Sequence, residues 1–551
     1  MKNYAAIRRN WQFLILSVLL IATAVYAFYA QSVKKAEAPV FSAQSGFYEE
    51  AFYLELTAPE GCSIYYTLDS TDPDRTSLRY TGPIYIDNAT GKENVYSMTE
   101  DMSVRNWSVP PDYLVDKCTV VRAVAIPDVA WNAKKSQTVT QSFFVGFRAE
   151  DFQNCGVISL VTDPDNLFDS KNGIYVAGDK YRQYLSTTKD PEELSWAYRP
   201  ANYREKGRKW EREANMTVWD ANGNLVLTKD IGIRTQGGWT RAYVPRSLNL
   251  YAREEYDGTT AFEYDFFGTS RQLQKLNLSV GGNAYITRMN DYLMSQRTGE
   301  LPFSTMSFRP YVMFLDGEYW GFYWLTESYD KTYVQQTFDL GTSDVIIIKA
   351  GELDEGMDED LSRYNQMVKF FANNSMADEE NYSKACQLID MDSFLDYYAT
   401  MVYIGRTHDW PNLNETVWRT KQVSDQPYGD GKWRWMLYDC NNFCMTEDLI
   451  EHDTIQWARS KSPIFRSLWK NKTFRKDFEA RIMEIADQCF EAEEMRSFVE
   501  NYRQTMTPVL EQTWKRFFGS HNNKAEQFTA ETESIIRFYL QRRAVVASWF
   551  E

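Results

Sequence analysis

Asp409 and Asn414 stand five positions apart in the run His408-Asp409-Trp410-Pro411-Asn412-Leu413-Asn414. Asp439 follows, at the end of the strand-like run Trp433-Arg434-Trp435-Met436-Leu437-Tyr438. Phosphoryl transfer asks for few groups: one Asp to orient or deprotonate the acceptor, and an Asn and a second Asp to hold Mg2+ on the phosphates. Earlier in the chain, Leu225-Val226-Leu227 leads through Ile231-Gly232-Ile233-Arg234 into Gly237-Gly238, and a cation-led strand follows from Arg246 to Arg253. A Gly pair lets a backbone come close to phosphates, and the cation meets their charge. Each signal has an ordinary reading beside it. An Asp-x4-Asn spacing is common by chance, Asp ends many strands as a turn residue, and Gly-Gly is usually only a hairpin.

The elements that must position these residues read as mixed α and β. A helix is expected over Thr287–Arg297, with Asp291 on it. Two strands, Tyr311–Leu315 and Tyr319–Leu325, flank Asp316-Gly317, a strong signal for a two-residue hairpin. Asp344–Lys349 reads as a buried strand ending in a cation. A further hairpin is expected at Asp430-Gly431. Phe474–Ala492, Met495–Phe518 and Glu531–Phe550 carry apolar residues at helical spacing and predict a terminal bundle. In protein kinases the catalytic Asp and a metal-binding Asn are also five apart, and the second Asp ends a strand some 20 or more residues later. The order found here is the same.

The whole chain has 551 residues, 44% hydrophobic and 15% aromatic, which predicts two or three folded domains. A formal net charge of −16 argues against nucleic acid as a partner, since that role needs a concentrated basic face. Seven Cys are an odd number in a long chain and imply no disulfide scaffold. Three His leave little room for His-based metal sites. Trp11–Ala30 has no charged residue and follows Lys2, Arg8 and Arg9. About 20 apolar residues span a bilayer as a helix, and the basic flank predicts an inside N-terminus. An uncleaved single-pass anchor over residues 1–35 is the reading favoured over a cleaved signal peptide. It places the chain at the cell membrane with its bulk extracytoplasmic. Residues 36–147 read as a small antiparallel β-sandwich, with a turn cluster at Asp69–Asp74 that fits Asx turns or a Ca2+ loop.

Pro39-Val40-Phe41-Ser42, the run Ile64–Pro73 (IYYTLDSTDP) and Tyr80–Ile86 (YTGPIYI) resemble the chitobiase C-terminal-like β-sandwich module. IRTQGGWTR (Ile233–Arg241), PRSLNLYAR (Pro245–Arg253), KLNLSVGGN (Lys275–Asn283), FLDGEYWGFYWLTESYD (Phe314–Asp330), HDWPNLN and WRWMLYDCNNF resemble the CotH kinase family, the spore-coat type of atypical protein kinase. The resemblance covers residues 155–551, of which 462–551 form the helical part. It implies a multidomain chain: an N-terminal transmembrane helix, a sandwich, then an α+β atypical protein-kinase-like domain finished by a C-terminal helical bundle. It also implies transfer of phosphate from ATP, with Mg2+, to Ser or Thr of surface or spore-coat-like proteins. Carried over by position, Asp409 is the catalytic Asp, and Asn414 and Asp439 are metal ligands. Gly237, Gly238 and Arg246 meet phosphates, with Asp291 as an acidic partner of Arg246, and Lys349 stands at a family position beside the cofactor. Arg246 departs from the usual Lys, Ala284 from an Asp after Gly-Gly-Asn, and Cys440-Asn441 from a second Asp. These departures keep open a non-catalytic reading: a pseudokinase or surface scaffold, with cell-wall glycan bound through the sandwich.

Overall fold

The computed structural model describes residues 34–105, 107–128 and 133–551. They form two compact units. The first comprises residues up to Thr90, Lys117–Arg148 and Val161–Asp163; the second comprises Gly91–Asp116, Ala149–Leu160 and Pro164–Glu551.

The expected membrane-spanning helix requires correction. Among the described residues no helix is long and apolar enough to cross a membrane. The run Trp11–Ala30 on which that expectation rested lies outside the described residues.

The first unit is β throughout. A five-stranded sheet runs in the order Gly46–Tyr48, Val139–Val145, Thr119–Pro127, Cys62–Thr67, Leu78–Arg79. Two short antiparallel pairs, Val40–Phe41 with Leu56–Thr57 and Phe52–Leu54 with Ile84–Ile86, and a third pair of Lys34–Lys35 with Ala133–Lys134 accompany it. Leu54, Ile64, Ile86, Val121, Ala123 and Phe143 fill the core. Alternation explains the choice: in Phe52–Leu54 and Ile84–Ile86 the outer residues turn inward, while Tyr53 and Tyr85 face solvent. Two pairings differ from the antiparallel expectation: Gly46–Tyr48 runs parallel to Val139–Val145, and Lys34–Lys35 parallel to Ala133–Lys134. The Asp69–Asp74 cluster forms Asx turns. Asp69 Oδ1 accepts from the Thr71 backbone N–H (3.2 Å), and Asp74 Oδ1 from that of Thr76 (2.7 Å).

The second unit is built on a closed seven-stranded barrel. Its strands are β1 (Gly156–Val161), β2 (Arg212–Trp219), β3 (Leu225–Thr235), β4 (Leu248–Tyr251), β5 (Lys275–Ser279), β6 (Phe308–Leu315) and β7 (Glu318–Glu327). The order around the barrel is β1-β2-β3-β4-β5-β7-β6, closed by the parallel pair β1–β6. Met216, Ile233, Leu250, Leu278, Trp320 and Tyr323 meet inside. The β6–β7 hairpin turns on Asp316-Gly317 as the sequence predicts. Both residues have positive φ (49° and 88°), which is what a type I′ turn requires.

Beyond the barrel lies a four-stranded sheet of β8 (Val345–Lys349), β9 (Glu352–Glu355), β10 (Thr416–Thr420) and β11 (Arg434–Met436), in the order β9-β8-β10-β11. The helices used below are α1 (Asn290–Thr298), α2 (Met391–Tyr403), α3 (Lys472–Gln488), α4 (Ala492–Phe518) and α5 (Lys524–Ser548). α4 packs on β7, where Thr513 Oγ1 accepts from the Phe322 N–H (2.9 Å). Gly321, at φ 102°, makes this approach possible, because a Cβ there would stand 2.9 Å from Thr513 Cγ2.

Candidate active site

Two loops carry the predicted chemistry, and buried helix α2 leads into the first. Every residue of α2 from Ser393 to Tyr403 is buried. The chain leaves it through Gly405 (φ 70°) into Arg406–Asn414. The five-residue spacing of Asp409 and Asn414 is that of one closed turn. Asn414 N–H donates to the Asp409 carbonyl (2.9 Å), and Asn414 Nδ2 to Asp409 Oδ2 (3.2 Å). The other carboxylate oxygen, Oδ1, accepts from Arg406 Nε at 3.0 Å. Thr407 Oγ1 meets His408 Nδ1 (2.9 Å), and the His408 ring lies 4.5 Å from that of Phe443, so His408 shapes the loop.

The second loop, 437–445, leaves β11 and bends sharply, with positive φ at Asp439 (53°), Phe443 (52°) and Met445 (56°). It is tied to the first by Thr407 N–H to Phe443 O (3.0 Å) and Met445 N–H to Ile404 O (2.9 Å). Asp291, in the first turn of α1, holds it from the other side. Asp291 Oδ1 accepts from the Cys440 N–H (2.6 Å), and its second oxygen accepts from Asn441 Nδ2. Asp291 is thus a brace for the 439–441 backbone. This corrects its expected pairing with Arg246.

The electrostatics join these groups into one cluster. Burial, with Asp439 close by, pushes the Asp291 carboxyl well above the ordinary range. Burial also raises Asp409; Arg406 opposes that rise and Asp439 adds to it. Burial works against the Arg406 guanidinium, but Cys440, Cys444, Asp409 and Asp439 outweigh it and hold the cation more firmly than in water. Arg406 is wholly buried, and its two terminal nitrogens have no hydrogen-bond partner. Lys349 ends β8 with Nζ 3.7 Å from the Tyr438 ring centroid. Burial lowers its ammonium, but Tyr438, Asp354 and Asp439 more than compensate. Lys275, at the start of β5, faces the same region from the barrel. Burial lowers it, with Lys349 and Arg234 adding to the effect and Asp354 and Asp330 opposing it.

The two glycine pairs separate. Gly237-Gly238 does not form a tight hairpin: β3 and β4 pair up to Thr235–Leu248, and the residues between carry a short 3-10 turn, Trp239–Ala242. Gly281-Gly282, after β5, is the pair against the loop that carries Asp439 and Asn441. A Cβ on Gly282, whose φ is 55°, would lie 3.4 Å from Asn441. The longer loop reaches this turn through Tyr243 OH, which donates to Asn283 Oδ1 (3.3 Å). Arg246 lies apart from the cluster and wholly buried, stacked on Tyr203 (4.1 Å) and Tyr175 (5.0 Å), with one nitrogen donating to Met102 O. The structure therefore brings together Asp409, Asn414, Asp439, Asp291 and Lys349, and leaves Arg246 out.

Three residues of the cluster escape sequence reasoning. Arg406 sits three positions before Asp409, a spacing that lets its side chain reach back along the turn. Asn441 lies two positions beyond Asp439, where the departure from a second Asp was the only signal. Lys275 opens KLNLSVGGN, and its neighbours come from sequence far away, so no local pattern marks it.

Among the described residues no group of three or more His, Cys, Asp or Glu is arranged to hold a metal ion. A Mg2+ that arrives on phosphates needs less, because one or two carboxylates complete its octahedron with phosphate oxygens and water. The donor set fits that mode. Asp439 offers a carboxylate, and the buried Asn441 Oδ1 is an acceptor without a partner.

The model of the CotH kinase protein family matches residues 233–546, more than half the chain. The model of the chitobiase/beta-hexosaminidase C-terminal domain matches residues 43–102. The chain belongs to the CotH kinase protein family. No curated protein matches it.

Proposed function

We propose that this chain is an ATP- and Mg2+-dependent phosphotransferase acting on Ser or Thr hydroxyls of proteins. The observation that supports it most is the closed Arg406–Asp409–Asn414 turn set beside Asp439 and its brace Asp291. Asp409 is the group that orients the acceptor hydroxyl and takes its proton. Arg406 fixes one of its oxygens and Asn414 the other, so the carboxylate is held in one rotamer before any acceptor arrives. Asp439, with Asn441 and Asn414, would hold Mg2+, which supplies charge neutralisation on the phosphates. Lys349 and Lys275 bring the cations that the sequence assigned to Arg246.

The test is Mg2+-dependent ATP binding by the full chain, followed by phosphate transfer to a Ser/Thr peptide mixture. Asp439→Ala should weaken Mg2+-ATP binding at least tenfold. Asp409→Ala should keep binding and lose about 10²–10⁴-fold in transfer, the usual range for a positioned acid–base group. Wild-type binding without transfer would favour a nucleotide-binding scaffold. No binding at millimolar ATP would remove the phosphotransferase reading altogether.

A further inference from the structure

Away from the carboxylate cluster, the barrel holds a second concentration of charge. Arg246 and Arg516 are both wholly buried. Arg516, near the end of α4, stacks against Trp320 (4.6 Å) and Phe517 (4.5 Å). Arg246 stacks on Tyr203 and Tyr175. Arg516 borders Trp320 and Arg246 borders Tyr175, and those two rings meet edge to face at 5.6 Å, so both cations flank one aromatic pair in the barrel. The Tyr175 hydroxyl is already an acceptor for the Arg246 backbone N–H (2.9 Å) and Trp320 Nε1 (2.9 Å).

Their donors are largely unanswered. Arg246 Nε and Nη1 and all three nitrogens of Arg516 are buried without a hydrogen-bond partner. Nor does a carboxylate close the balance. The acid that acts most on Arg516 is Glu318, whose oxygens accept from the backbone N–H of Val95 (2.6 Å) and Ser97 (2.7 Å). The acid that acts most on Arg246 is Asp101, which accepts from the Gly178 N–H (3.0 Å). Arg288 adds a third cation near Tyr175, but backbone carbonyls of Tyr285 and Phe322 engage it. Buried charges in proteins are paired or bound to a counter-ion, because an unpaired one loses its hydration with nothing in return. Burial lowers Arg516 to about 10 even with Glu318 and three tyrosines opposing it, the mark of a cation short of compensation.

We propose that a small inorganic anion is bound inside the barrel between Arg246 and Arg516, held by their unpartnered N–H groups. The site is independent of the phosphotransferase reading. Water is the competing occupant. It would satisfy some donors but leave the charge, and an anion answers both.

The test uses the full chain in sodium gluconate, whose anion is too large for such a site. Chloride, bromide or phosphate is titrated in at constant ionic strength while the melting temperature is followed. A saturable rise of several degrees with one of these anions is expected, since a ligand bound only by the folded state stabilises it by mass action. Arg516→Met and Arg246→Met should each flatten that curve. If either fails to fold, Arg516→Lys keeps a charge but not the fork, and should shift the midpoint at least tenfold to higher anion concentration. Crystals grown in bromide should show anomalous density between the two guanidiniums. A melting temperature indifferent to all three anions, or water alone at that position, would overturn the proposal.

Discussion

Two fully buried arginines of the same unit, Arg406 and Arg516, meet opposite surroundings. Arg406 lies beside Asp409, with Asp439 near, and its charge is reinforced. Arg516 lies among Trp320, Phe517 and tyrosines, and its charge is weakened. The cost of burial is similar, so the difference lies in what answers it. A cation answered by a carboxylate can position that carboxylate. A cation answered by ring faces fills space and keeps its N–H groups for something else. The comparison teaches that burial of a charge does not reveal its role until its partners are named.

The largest effect should come from breaking the answered pair. Arg406→Met strands Asp409 in a mostly buried place and should cost about 3–5 kcal/mol in stability, read from urea unfolding. Asp409→Asn should cost less, because the amide can still accept from Arg406. If both cost under 1 kcal/mol, roughly the value of an exposed pair, the pair positions nothing.

Glu415 sharpens the contrast as the converse case, a buried acid with no cation. Tyr398 OH (2.8 Å) and Trp435 Nε1 (3.0 Å) donate to it, yet burial raises it to about 7. The folded state therefore holds a proton that the unfolded chain releases near 4.5. That stabilisation is complete below the unfolded value and is lost as pH rises through about 7. Glu415→Gln should match wild type near pH 4.5 and exceed it above pH 8, by of order 2–3 kcal/mol. A difference that stays constant from pH 5 to 8 would show that Glu415 does not hold a proton in the folded protein.

Arg516→Met in gluconate should change stability by about 1 kcal/mol or less, since the lost stacking is offset by relief of an unpaired charge. The smallest effect belongs to the exposed pair Arg543–Asp487 (2.5 and 3.0 Å), where Arg543→Ala should cost under about 1 kcal/mol and vanish in high salt.

The sequence makes local features legible and distant ones illegible. Asp316-Gly317 is read correctly because a type I′ turn is a property of two residues and their flanks. The Asp409–Asn414 turn is legible for the same reason, since both bonds close within five residues. The three terminal helices appear in the apolar period, and α3, α4 and α5 occupy those stretches. Closure of the barrel is different. It depends on β1 pairing with β6 across some 150 residues, and no local pattern announces it. The seat of Arg246 is illegible for a related reason: a cation leading a strand looks the same whether Tyr203 and Tyr175 or a ligand awaits it. The choice between the two glycine pairs likewise rests on Asn441, far away in the chain.

The segment Gly91–Asp116 belongs to the barrel unit although residues on both sides of it belong to the sandwich. Met102 gives its carbonyl to Arg246, Trp107 stacks on Tyr243 at 4.5 Å, and Val109 N–H donates to Phe517 O (2.8 Å). Each seat is built from chain made later, the last of them some 400 residues further on. At 5–20 residues per second, the segment waits roughly 20–80 s between leaving the ribosome and finding Phe517. Met102 and Trp107 wait a shorter time, roughly 7–28 s, for Arg246 and Tyr243 to be made. The protein is born with an exposed hook, so its yield in a cell should depend on whatever shields apolar nascent chain during that interval.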